Sequence, residues 1–129
     1  GEASVLIGLS AAHRATGEPA TAIMHAKHAL HVMHETDMRV LEASALTELA
    51  AGLLEAGELG EARAQVQEAL RIARAGGQRL VEARARYVLG DIQRASQGHS
   101  AAVEDWQAAL AVFTELKAPE ADEIRRLMR

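Results

Sequence analysis

Three short breaks in an otherwise helix-forming chain fall 40 residues apart. ATGEPA carries Gly17, EAGELG carries Gly57, and ASQGHS carries Gln97 in the same register. A true repeat must show the same offset elsewhere, and it does. Leu9, Leu49 and Leu89 align, each followed by a small residue: Ser10, Ala50 and Gly90. Ala22, Ala62 and Ala102 align, as do Ala29, Ala69 and Ala109, each of these last followed by Leu (Leu30, Leu70, Leu110). Val32, Ile72 and Val112 align, and so do Ala3, Ala43 and Ala83, each preceded by Glu. A period of this length is the signature of an array in which one supersecondary unit recurs. Each unit holds two helical stretches: 3–15 with 19–35, 38–56 with 59–75, and 79–96 with 100–116.

The residues at the breaks suit helix ends. Gly17 and Gly57 can take the left-handed conformation that closes a helix, and Gly76 and Gly77 end the fourth stretch. Pro19 stands where a helix starts, a place that tolerates it, and Ser100 is a natural N-cap. Aromatics make up only 2% of the chain against 49% hydrophobic residues. The core is therefore built from Ala, Leu, Val and Ile, of which Ala and Leu are strong helix formers. These features predict an all-α fold of one domain, with repeats over about 1–37, 38–77 and 78–118. A last segment, 119–129, has acids first and bases last, which suits the helix dipole. It reads as a short capping helix or the first helix of a further repeat. One helix pair cannot bury its apolar face alone, so the three pairs are expected to stack as an α-solenoid. The chain starts at Gly1 without Met and enters a helical pattern at once, as a piece cut from a longer protein would.

Several function classes fit poorly. A net charge of −4, with acids and bases interspersed, lacks the basic face of a direct nucleic-acid binder. No cysteine is present, so disulfide and thiolate chemistry are out and a cytoplasmic setting is compatible. No apolar run approaches a membrane span, and no leader pattern is visible. The glycine-rich pieces GELGEA and AGGQ lack the strand and the Lys-Ser/Thr of a phosphate loop. There is no nucleophile elbow and no HExxH. The expectation is a non-enzyme without a cofactor.

The pattern of Leu-small, Gly, Ala and Ala-Leu resembles the tetratricopeptide repeat (TPR). Ser10, Ala50 and Gly90 match the small residue at the close crossing of helices A and B. Ala22, Ala62 and Ala102 match the small residue on helix B, and Ala29, Ala69 and Ala109 the one that meets the next repeat. The period is 40 rather than about 34 residues, and the proline that usually ends helix B is missing at His34, Arg74 and Thr114. GELGEARAQVQEALRIARAGG and AALAVFTELKAPEADEIRR resemble the C-terminal arrays of SARP-type and related signal-transduction ATPase regulators of high-GC bacteria. The resemblance implies a right-handed solenoid acting as a protein- or peptide-interaction module of a transcriptional regulator. Its partners would be a peptide, a protein or other domains of the same regulator. A free-standing scaffold and a self-associating domain are the alternatives, since an array without caps exposes apolar surface at its ends.

In that family the groove is lined by helix A. The matching positions are Ser4, Ile7, Ala11 and Arg14, then Ser44, Thr47, Ala51 and Leu54, then Arg84, Tyr87, Asp91 and Arg94. The Lys/Asn clamp that grips a chaperone C-terminus is replaced by Ile7, Ala11, Thr47 and Ala51. Arg14, Arg84 and Arg94 can pair with acidic groups on a peptide, with Tyr87 as a flat contact. The bland alternative has these arginines as solvated surface, bridged to Glu82 or Asp91. Trp106 occupies the inward site held by Ala26 and Val66 and is expected in the core.

Four of the six histidines fall in HAKHALHVMH. Helix B must turn Ala22, Ala26, Ala29, Leu30 and Met33 inward, so His25, His28, His31 and His34 sweep across the outer face. Two or three of them, such as His25, His28 and His31, can share an adventitious zinc or nickel ion, with Glu35 the only close carboxylate. A pH-responsive domain that protonates below about pH 6.5 is the other chemical reading of this cluster. A solvated helix face is the simpler one.

Overall fold

Helix formation follows the expected segments closely. The computed structural model describes residues 2–36 and 41–128. It shows α1 (Glu2–Ala15), α2 (Pro19–Thr36), α3 (Glu42–Glu55), α4 (Leu59–Ala75), α5 (Arg79–Gln97), α6 (His99–Glu115) and α7 (Glu120–Leu127). No strand occurs among the described residues, so the fold is all-α. No helix among them is long and apolar enough to cross a membrane. The expected start of the third helix at Met38, and the end of the last at Arg129, lie outside the described residues.

One backbone device closes four of these helices. At Gly17, Gly57 and Gly77, φ is +79°, +83° and +66°. The amide of the next residue reaches back to the carbonyl five positions earlier: Glu18 to His13 (2.7 Å), Glu58 to Leu53 (2.9 Å) and Gln78 to Ala73 (2.9 Å). This is the Schellman closure, which satisfies carbonyls that the helix end leaves open. Lys117 (φ +55°) does the same without being glycine, with Ala118 N–H on the Phe113 carbonyl at 2.8 Å.

The third break inside a unit departs from this pattern. Gln97 holds the register of Gly17 and Gly57, but its Cβ makes the left-handed region costly. The helix runs on through Gln97, and Gly98 alone turns the chain at φ +97°. Ser100 is therefore not the N-cap. It lies within the first turn of α6, whose cap position is Gly98.

Close backbone packing joins each helix to its successor, and also α1 to α3 and α3 to α5. Small residues make the approaches possible. Ser10, Ala22, Ala50, Ala62 and Ala102 are fully inaccessible, and Gly90 is buried. The Ser10 hydroxyl donates to the Ala22 carbonyl at 2.6 Å, so the one polar group buried at these positions is satisfied. Three clusters form the core. The central one gathers Leu46, Leu49, Leu53, Val66 and Ile92. Another centres on Trp106, Phe113 and Ile124, and the third on Leu6, Ala29 and Met33.

Trp106 is fully buried, as expected of an inward site. Its counterparts grow from Ala26 through Val66 to Trp106, while the small residue of helix A shrinks from Ser10 through Ala50 to Gly90. In the third unit this exchange is forced. A Cβ on Gly90 would overlap the Trp106 ring, 2.5 Å from Nε1. Gly90→Ala should therefore lower the unfolding free energy in urea by about 2 kcal/mol, the ordinary range for overpacking. Gly8→Ala, where an added Cβ meets nothing within 4 Å, should raise it by roughly 0.5–1 kcal/mol. Equal effects from the two substitutions would refute this packing account.

Candidate functional site

Helices α1, α3, α5 and α7 line a cavity of about 490 Å³. Helical spacing builds its wall. On α3, Ser44, Thr47, Ala51 and Leu54 recur every three or four residues, and so share one face. On α5, Arg84, Tyr87, Val88 and Asp91 do the same, and on α1 Ile7 and Arg14 stand two turns apart. Nine of the twelve groove positions expected from the sequence line this cavity. Ser4, Ala11 and Arg94 do not.

Sequence reasoning missed the acidic side chains. Glu48 and Glu55 come from α3, and Glu120 and Glu123 from α7. The α3 pair was readable, because 44, 48, 51 and 55 follow one helical stripe. The α7 pair carried no such signal, since its placement depends on how α7 docks. Ala121 and Ile124 go into the core and leave Glu120 and Glu123 to face the cavity.

These carboxylates change the role of the arginines. Arg14 bridges Glu48 (3.3 Å) and Glu55 (3.5 Å). Burial works against its charge, but the two carboxylates more than offset this and hold its pKa above the usual value. Arg84 donates to Glu120 at 2.7 Å. Both guanidiniums are ion-paired, Arg14 half-buried and Arg84 exposed, and neither pairs with the expected partners: Glu82 binds Arg74 instead, at 3.1 Å. Arg94 lies 5.8 Å above the Trp106 ring, outside the cavity lining. The cavity thus holds five carboxylates against two guanidiniums. The basic groove expected from the sequence is acidic, because helices distant in the chain supply the counter-charges.

Asp91 and Glu123 form no ion pair among the described residues. Asp91 accepts a hydrogen bond from Trp106 Nε1 at 3.2 Å. Burial pushes its pKa up to about 6, with the nearby Glu123 charge adding to the effect and Arg94, the Trp106 bond and Arg14 opposing it. Tyr87 lines the cavity with both. Burial, and then the neighbouring Glu123 carboxylate, raise its pKa and keep the hydroxyl protonated. The Thr47 hydroxyl is turned back onto the Ala43 carbonyl at 2.8 Å.

The histidine run lies elsewhere. His28, His31 and His34 are exposed, and His28 approaches Glu2 at 3.9 Å. His25 differs from the expected outward position. It is half-buried and stacks on His13 of α1, with ring centroids 5.1 Å apart. Among the described residues, no group of three or more His, Asp or Glu side chains is placed to hold a metal ion. The Glu35 side chain lies outside the described set.

No known protein-family model matches the chain, and no curated protein matches it either.

The raised Asp91 pKa couples the stability of the fold to pH. Between the unfolded value near 3.8 and the folded value of about 6, the folded chain holds a proton that the unfolded chain has lost. Stability from this group therefore falls as pH rises through that window, and the cost persists above it. Asp91→Asn keeps the acceptor for Trp106 and removes the charge. Its unfolding free energy relative to the parent chain should be near zero at pH 4 and about 1 kcal/mol more favourable at pH 7, after discounting for solvent screening. A difference that stays flat between these pH values would show that the carboxylate titrates normally.

Proposed function

We propose that the chain is a non-catalytic interaction module. Its TPR-like helix pairs form a right-handed solenoid, and it takes a peptide or protein segment in the cavity between the odd-numbered helices. One observation carries this reading: Ile7, Thr47 and Tyr87, spaced 40 residues apart, line a single cavity from three different helices. A repeat register that converges on one concave space is how helical-repeat proteins build extended binding surfaces. The resemblance to the arrays of bacterial transcriptional regulators suggests the setting. There the module would sense a peptide or hold another domain of the same cytoplasmic protein.

A second reading, self-association, has its own support. Val5 and Leu9 are 62% and 40% exposed, whereas their counterparts Ala45 and Ala85 are fully buried and Leu49 is 3% exposed. Helix α1 thus offers an apolar strip that the equivalent helices cover, and a second copy could cover it too.

Each reading has a direct test. A random dodecapeptide display library panned on the chain should enrich binders. Ser44→Trp, which fills the cavity from a half-buried position, should reduce that enrichment at least tenfold with helicity unchanged by circular dichroism. Equal enrichment on both proteins would exclude the cavity. For self-association, sedimentation should show a concentration-dependent dimer that Leu9→Glu abolishes. A parent chain that stays monomeric at every concentration would end that reading.

A further inference from the structure

We infer that the cavity's occupant is a cationic peptide segment, with an Arg or Lys side chain seated between Asp91 and Glu123 beside Tyr87. This rests on the peptide-groove reading and narrows it to one ligand chemistry. The charges that could attract an acidic ligand are already used. Arg14 is held by Glu48 and Glu55, and Arg84 by Glu120. An acidic segment would have to displace these bridges and face a lining with three more carboxylates than guanidiniums. Charge complementarity therefore favours a cation and disfavours an anion.

The seat is specific within that lining. Asp91 and Glu123 are the two cavity carboxylates without an ion-pair partner among the described residues, and Tyr87 lines the cavity with them. Asp91 spends one interaction on a neutral donor, Trp106 Nε1, and Glu123 faces the same cavity. Each carboxylate has further lone pairs that can accept from an incoming N–H. Burial already disfavours the Asp91 charge, and a cation brought beside it relieves that cost. The apolar part of the wall, Ile7, Leu54, Val81 and Val88, suits the aliphatic stem that precedes a Lys or Arg head group. The Tyr87 ring adds a face on which a guanidinium can rest.

The same dodecapeptide display provides the test, now read for composition. Peptides enriched on the parent chain over Ser44→Trp should carry Arg and Lys in excess of the input library and be depleted in Asp and Glu. A synthetic copy of the leading enriched peptide should bind in fluorescence polarisation. Its affinity should fall about tenfold with Asp91→Asn and again with Glu123→Gln, and fall likewise when its central cation is replaced by Gln. Both variants keep their acceptor oxygens, so thermal unfolding should show them folded. Enrichment of acidic or uncharged peptides, still lost in Ser44→Trp, would leave a peptide groove standing and overturn the cationic occupant. Cationic peptides whose affinity ignores both substitutions would overturn the seat. If no class is enriched, the groove reading falls and this inference falls with it.

Discussion

Everything in this fold depends on how closely the helices cross at the small residues. Ser10, whose hydroxyl reaches the Ala22 carbonyl, and the buried Ala50, Ala62, Gly90 and Ala102 put little side-chain bulk between the helices. The third unit shows the constraint at its tightest. There Trp106 fills the space beneath the crossing, and Gly90 cannot bear even a methyl group. Dense packing of this kind makes the core sensitive to single carbons. It also fixes where α5 stands relative to α3, and so where the cavity wall stands.

That geometry couples the core to the site. Trp106 is buried, yet its Nε1 reaches Asp91 on the cavity side of α5. Arg94 rests over the same ring and lends its charge to Asp91 from outside the lining. One aromatic side chain therefore packs the third unit and also orients the cavity's most perturbed carboxylate. Helix α7 contributes in a similar double manner. Its Ala121 and Ile124 close the core beside Phe113, and its Glu120 and Glu123 close the end of the cavity.

Much of this was legible in the sequence. Helix positions follow from the 40-residue register and from break residues whose backbone preferences are local. Inward faces follow from helical periodicity, so Ala26, Met33, Val66 and Trp106 were placed correctly from spacing alone. The misplaced features have two different causes, one local and one tertiary. Gln97 occupied a glycine's register, but its own Cβ moved the turn to Gly98. His25 shares a helix face with His28, but contact with His13 of a different helix half-buries it.

The sequence by itself determined that the chain is all-helical, where most of its helices begin and end, and which faces turn inward. Those properties arise from interactions within a few residues. Only the tertiary structure decided the chemistry of the cavity. Arg14 meets Glu48 and Glu55 across 34 and 41 residues, and Arg84 meets Glu120 across 36. Coulomb attraction and desolvation depend on distance in space. Each of the cavity arginines is therefore a free cation on paper and a neutralised one once three helices and α7 have packed around it. The carboxylates left over are Asp91 and Glu123.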